Sequence, residues 1–312
     1  MKLTRFNKYL YKYWKVQAVV ILLGLITVPL SLVGPYLTKL IIDKAYGNKD
    51  LKLFLILAAI GASIFIFNNI LDSLKHYLSQ RISSRVHFDL TKDLFKHLQL
   101  LPLSFFNDKS TGEHIFKISN DVSIVGSFVC NTLPQIIILF PRLLFIFFIV
   151  FYLNWKMALF ALLLIPVSYI HLYFFVKWLR EITRKMIEKS QDIFISLYEL
   201  FSNINLIKAF GKEDYETKRF EEELLKRTDF DLKNAKLANI SSFFSSVWDK
   251  AISGLIALYG GYQIIKGTFT LGSYTAVMIY LVQFIGLTKS IGGFYEAIML
   301  SSISRLRITE IL

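Results

Sequence analysis

The stretch SFVCNTLPQIIILFPRLLFIFFIVFYL, residues 127–153, decides the architecture. It runs 27 residues with a single charge, Arg142. A helix rises 1.5 Å per residue and the hydrocarbon core of a bilayer is about 30 Å thick, so roughly 20 such residues suffice to cross it. A helix that is apolar all round belongs in lipid or in the centre of a large core. Five more stretches share this character, at about 16–42, 53–74, 157–176, 243–265 and 271–300. They lack the two-residue alternation of a barrel strand, and in lipid every backbone group must be satisfied within the segment, so they are expected to be helices. The expected fold is all-α: a polytopic membrane protein of six transmembrane helices.

Composition agrees. Of 312 residues 54% are hydrophobic, and the mean hydropathy is +0.49, above what a soluble domain of this length carries. The formal net charge is +13. No basic groove with stacking aromatics accompanies it, so nucleic acid is not an expected partner. A single cysteine, Cys130, excludes an intrachain disulfide and a thiolate metal cluster. His76, His87, His97, His114 and His171 lack the close spacing of metal ligands. The basic N-terminus followed by an apolar run imitates a signal peptide. That run, 16–42, is too long for a signal core and has no small-residue cleavage pattern, so it reads as a retained span.

The connections set the topology. Segments 43–52, 154–156 and 266–270 are short, and 75–126 and 177–242 are long, so the two kinds alternate across the membrane. Of the 36 Lys and Arg, 27 fall in the N-terminal arm, the long loops and the C-terminal tail, and 5 in the short loops. Basic flanks stay inside, which places the long loops and both termini in the cytoplasm. Neither long loop reads as a flexible linker. Val86, Leu90, Leu94 and Leu98 form one stripe at helical spacing, and Ile193, Leu197, Leu200 and Ile204 form another. The spans are therefore expected to continue past the bilayer as stiff stalks, each pair joined by a short helix at the tip. In the arm, residues 1–15, Leu3, Phe6, Leu10 and Tyr13 share a face near Tyr9, Tyr11 and Trp14. That pattern suits an amphipathic helix in the inner membrane interface.

Local motifs sharpen this picture. The first long loop contains Leu100-Leu-Pro-Leu-Ser-Phe-Phe-Asn107, then Thr111-Gly-Glu113, then Ser119-Asn-Asp-Val122. The second contains Leu206-Ile-Lys-Ala-Phe-Gly211 followed by Lys212-Glu213 and Arg219-Phe220, with Glu199 upstream. Asn154-Trp-Lys156, Ile165-Pro166 and Leu271-Gly-Ser273 occupy the short turns and span starts. Together, in this order, they resemble the transmembrane domain of type I ABC exporters across essentially the whole chain. The resemblance implies that Thr111, Gly112, Glu113, Asn120, Asp121, Glu199, Lys208, Ala209, Phe210 and Gly211 couple the spans to a nucleotide-binding domain. It also implies ATP and Mg on that domain, a second transmembrane half as homodimer or heterodimer, and a place in a bacterial inner membrane. Cap residues at the first tip, from Asn107-Asp108 to Ser110-Thr111 with Glu113 in the first turn, suit a short helix start.

Three departures matter. The stretch Ile285-Gly-Leu-Thr-Lys-Ser290 lacks the proline common in the sixth span, and Lys117 stands where arginine is common. There is no Gly-x-x-x-x-Gly-Lys-Ser/Thr string, and Gly211-Lys212 runs into Glu213 without the earlier glycine. The chain itself is therefore expected to bind no ATP by the family mechanism, its ATPase being removed, separate or absent.

Charge within a span costs at least about 2.5–3.5 kcal/mol on insertion scales, so each such residue is a functional candidate. Arg142, Lys289 and Glu296 are candidates to line a translocation pathway; Lys39 is a further span charge, with snorkelling to the outer interface as the alternative, and Asn68, Asn69 and Asp72 form a weaker cluster. Lys289 and Glu296 stand seven residues apart, on one side of the sixth helix. The leading expectation is ATP-driven export of an amphipathic or hydrophobic solute such as a drug, lipid or peptide. A membrane scaffold or orphan subunit without transport, and an ATP-independent transporter, are the alternatives.

Overall fold

The computed structural model describes the backbone of residues 4–107 and 111–309, and their side chains except at 4–11, 107, 160–180, 183 and 187. Ten α-helices follow in order: α1 Thr4–Leu40, α2 Leu51–Leu98, α3 Leu103–Asn107, α4 Thr111–Phe116, α5 Val122–Ser127, α6 Leu133–Leu153, α7 Trp155–Ser202, α8 Ile204–Ala209, α9 Glu213–Ile265 and α10 Leu271–Thr309. Three π turns, Ile41–Tyr46, Lys117–Asp121 and Phe128–Thr132, interrupt the regular winding. The described residues contain no strand.

Among the described residues four helical stretches are long and apolar enough to cross a membrane: Lys12–Tyr46, Leu51–Leu98, Thr111–Leu153 and Leu271–Thr309. The chain is a multi-pass integral membrane protein. The expected fourth span, 157–176, rests mostly on side chains outside the described residues. The expected fifth, 243–265, lies within α9 but is not among the four, because Asp249, Lys250 and Gln263 dilute its apolar run. The N-terminal arm and the first span form one helix, with Leu3, Phe6 and Leu10 outside the described side chains. At its described end, Lys12 Nζ lies 2.5 Å from Asp89 Oδ2 on α2, and the Tyr13 hydroxyl donates to the same oxygen at 2.8 Å.

The long loops are helical, as their periodicity requires. α2 continues unbroken from its apolar half into a stalk that ends at Leu98, where Gln99 and Leu100 turn the chain. Val86, Leu90, Leu94 and Leu98 are all buried, packed with Val122, Val125 and Ile308. The second stripe is buried only at Ile193, and Ile204 is exposed at the tip. A second core joins the other ends of the rods: Leu32 of α1, Ile146 and Val150 of α6, Met157 of α7, Ile256 of α9, and Tyr280 of α10. The Tyr280 hydroxyl, fully buried, donates to the Leu32 carbonyl at 2.5 Å. Tyr280→Phe is expected to lose about 0.5–1.5 kcal/mol, the net value of one such bond, read as a lower unfolding midpoint in detergent.

At the short-loop end, Asp43 reaches across to the start of α10. Thr270 Oγ1 donates to its Oδ2 at 2.7 Å and the Gly272 amide to its Oδ1 at 2.9 Å. A carboxylate there satisfies orphan amides and faces the positive end of the helix dipole. Gly272 is required by closeness: a Cβ would lie 2.6 Å from the Asp43 carboxylate and 2.6 Å from the Lys39 carbonyl.

Candidate functional site

The tip of the second hairpin is α8, held between two long stalk helices. α7 stops at Asn203, whose side-chain amide donates to the Glu199 carbonyl at 3.0 Å. After α8, Gly211 adopts φ +58°, a left-handed conformation that glycine enters without a Cβ clash. That turn lets the Lys212 amide return to the Ile207 carbonyl at 3.1 Å. No residue of α8 is buried. Phe201, Ile204 and Leu206 are exposed, and Phe210 is 71% exposed. Glu199 and Ala209 also face out. Lys208 pairs with Glu213 at 3.2 Å. The Glu213 carboxyl is held below its ordinary value by its own backbone amide first and by Lys208 second. The result is a rigid, apolar, uncovered knuckle with a charged rim.

The first tip is built differently. Thr111 is exposed at the start of α4, while Asp108 and Ser110 lie outside the described residues. Gly112 is buried against α7, where a Cβ would sit 3.1 Å from the Ile195 Cα and 3.4 Å from the Tyr198 Cβ. Phe105 and Phe106 stack around the buried His114 ring, with centroids 5.2 and 5.5 Å away. Glu113 pairs with Lys117 at 2.9 Å, and Lys117 is 1% exposed. Asp121 is 0% exposed. It accepts from the Ser304 hydroxyl at 2.9 Å and pairs with Arg307 Nε at 3.2 Å. The Arg307 guanidinium also lies over the Phe116 ring, 5.5 Å from its centroid, and bonds to Gln191 of α7.

Of the first-loop residues expected at a coupling surface, Gly112 and Asp121 are thus spent inside the chain. Thr111 faces out, and Asn120 is half-buried. The π turn at Lys117–Asp121 has one residue more per turn than the α-helix around it, and both of its end residues are buried. Arg307, Ser304 and Gln191 escape a reading of the sequence. The one hint is that Ser304 and Arg307 stand three apart, hence on one helix face.

The span charges do not gather into one cluster. Lys289 pairs with Asp249 of α9. Glu296 is half-buried and makes no hydrogen bond or ion pair among the described residues. Arg142 is half-buried, and its Nε finds no hydrogen-bond acceptor among them. Its electrostatic neighbour is Asp72, which already holds Lys75 on α2.

Among the described residues no group of three His, Cys, Asp or Glu is placed to hold a metal ion. Gly211 and Lys212 do not form a phosphate cradle, because the backbone of that turn closes α8. The described residues of that turn do not fit a nucleotide phosphate. The described residues build two tips on stiff stalks, one tied to the end of α10 and one uncovered.

Comparison with known proteins agrees with this architecture. Residues 18–288 match the family described as the ABC transporter transmembrane region. An ATP-dependent lipid A-core flippase of Desulfotalea psychrophila is 28% identical over 278 residues, covering 89% of this chain and 48% of that protein. A protein of Staphylococcus aureus, named for multidrug export and as an ATP-binding/permease protein, is 29% identical over 286 residues, covering 88% of this chain and 49% of its own length. The chain spans about half the length of the curated relatives it matches.

Proposed function

Because the chain belongs to the family of ABC transporter transmembrane regions and is an exporter-type transmembrane domain, we propose that it moves an amphipathic or hydrophobic solute across the membrane by alternating access. Nucleotide binding belongs to a separate or fused domain that holds ATP and Mg, and a second transmembrane half completes the pathway. The observation that carries this reading is the second tip. Ile204, Leu206 and Phe210 lie uncovered at the end of helices of 48 and 53 residues. An apolar patch held that far from the core on rigid rods is a docking knuckle. Closure of the domain it docks on displaces the knuckle, and α7 and α9 carry that displacement to the spans. The energy available is the difference in stability between two states of the spans as the docked domain binds and releases nucleotide.

Orientation follows from charge. On this reading the membrane is a bacterial inner one, and the excess of Lys and Arg in the arm, long loops and tail supports both termini and both tips in the cytoplasm. Glu296 is the span acid with no partner among the described residues, and it is the acid assigned to meet solute. Lys289 serves beside it only where Asp249 releases it, and Arg142, which no carboxylate holds among the described residues, serves with it.

The test is reconstitution in liposomes with the nucleotide-binding domain, fused or added. The chain alone hydrolyses no ATP, and the assembled transporter does so with solute stimulation. Phe210 is exposed, so Phe210→Ala leaves folding within about 0.5 kcal/mol. Loss of an aromatic anchor weakens docking about 30-fold and reduces stimulated hydrolysis with it. ATP hydrolysis by the chain alone, or full coupling in the Phe210→Ala transporter, overturns the reading.

A further inference from the structure

A groove of about 370 Å³ opens between α1 and α6 near their short-loop ends, with α10 as its floor. Leu32, Tyr36, Phe148, Ile149, Tyr152 and Tyr280 supply most of its wall. Its interior offers no polar group, because the Tyr280 hydroxyl is already committed to the Leu32 carbonyl. A polar solute entering it would lose its water without a replacement. What fills it is hydrocarbon.

The rim is different. Tyr36 and Tyr152 present hydroxyls at the short-loop end, and Tyr152 is 86% exposed. Tyrosine at this level marks the boundary between lipid tails and headgroups. The Lys39 ammonium lies 5.7 Å from the centroid of the Tyr36 ring, so a cation stands at the wall of the groove itself. Lys156 is the second residue of α7, three positions past the Leu153 of the groove wall, and lies over Trp155. The acids of the short loops are Asp43 and Asp50, and both are engaged at helix starts. Asp43 holds Thr270 and Gly272, and Asp50 accepts from the Leu53 amide. Among the described residues neither Lys39 nor Lys156 has a carboxylate partner.

We propose that this groove holds a resident anionic phospholipid, its acyl chain between α1 and α6 and its phosphate at Lys39 and Lys156. The site rests on the fold and its charges, and not on the export reading. The ligand is a structural lipid drawn from the bilayer that bathes the wall, so it is retained whether or not nucleotide or solute is present.

Trp155 reports on it. The chain of residues 1–312 carrying Trp14→Phe, Trp178→Phe and Trp248→Phe keeps that single indole, two positions past the Leu153 of the groove wall. It is placed in vesicles containing dibrominated phosphatidylglycerol or dibrominated phosphatidylcholine with the same chains. Quenching by the anionic lipid is expected to exceed that by the zwitterionic one, by about fivefold in relative association constant for each lysine engaged. Lys39→Ala with Lys156→Ala brings the ratio to about one while leaving quenching by both lipids. Val33→Phe with Ile149→Phe fills the groove and reduces quenching by both to that of freely exchanging lipid. Equal quenching by the two lipids in the parent chain, or a preference that survives loss of both lysines, overturns the proposal. So does disulfide cross-linking of two chains through Tyr152→Cys in vesicles, which would show that a second copy occupies this face.

Discussion

Asp121→Ala is expected to destabilise the protein by about 3–5 kcal/mol, the largest effect of any single change considered. The substitution removes the carboxylate from a fully buried site and leaves the Arg307 guanidinium there without its counter-charge. Breaking one side of a buried pair costs this much because the surviving charge is desolvated and uncompensated. Ser304 loses its acceptor as well. The measurement is the thermal unfolding midpoint in detergent, converted against denaturant unfolding. Removing both charges in Asp121→Leu with Arg307→Met is expected to recover much of the loss, because an apolar pair of similar volume needs no hydrogen bonds. A midpoint for Asp121→Ala equal to the parent's would refute the ion pair as a structural tie.

Gly272→Ala is expected to cost about 1.5–4 kcal/mol, from about 1–3 for overpacking and a further 0.5–1 for a disturbed cap. The methyl group meets the Lys39 carbonyl, which is backbone and cannot rotate aside. α10 must back away from α1, and the Asp43 carboxylate loses its grip on the Gly272 amide. The control is Gly286→Ala on the same helix, where a Cβ meets nothing within 4 Å. There alanine is neutral or stabilising by up to about 1 kcal/mol. Equal unfolding midpoints for the two variants would sink the close-approach account.

The sequence speaks clearly wherever periodicity is strong. The stripe of Val86, Leu90, Leu94 and Leu98 is buried as a stripe should be, because a helix repeats its contacts every three to four residues. The helical character of both long loops was legible for the same reason, whereas periodicity did not tell an exposed Phe210 from one packed in the bundle, and the fold shows it exposed. What the sequence hides are contacts between residues distant in the chain. Asp121 meets Ser304 and Arg307 across 183 and more positions. Asp43 meets Gly272 across 229. No local pattern encodes such pairs, and a π turn that re-aims Lys117 and Asp121 inward has no compositional signature. Asp249 interrupts the apolar stretch of the expected fifth span, and only the fold shows that it answers Lys289 of α10.

α10 is one rod of 39 residues, about 58 Å at 1.5 Å per residue, and each end is fastened to a different part of the chain. Near its start Asp43 grips it, and near its finish Asp121 does. A beam clamped at one end only would dissipate a tug by swinging. Clamped at both, it must deliver any torque applied past Arg307 to the far side of the bilayer, with the turn that carries Asp43 as its abutment.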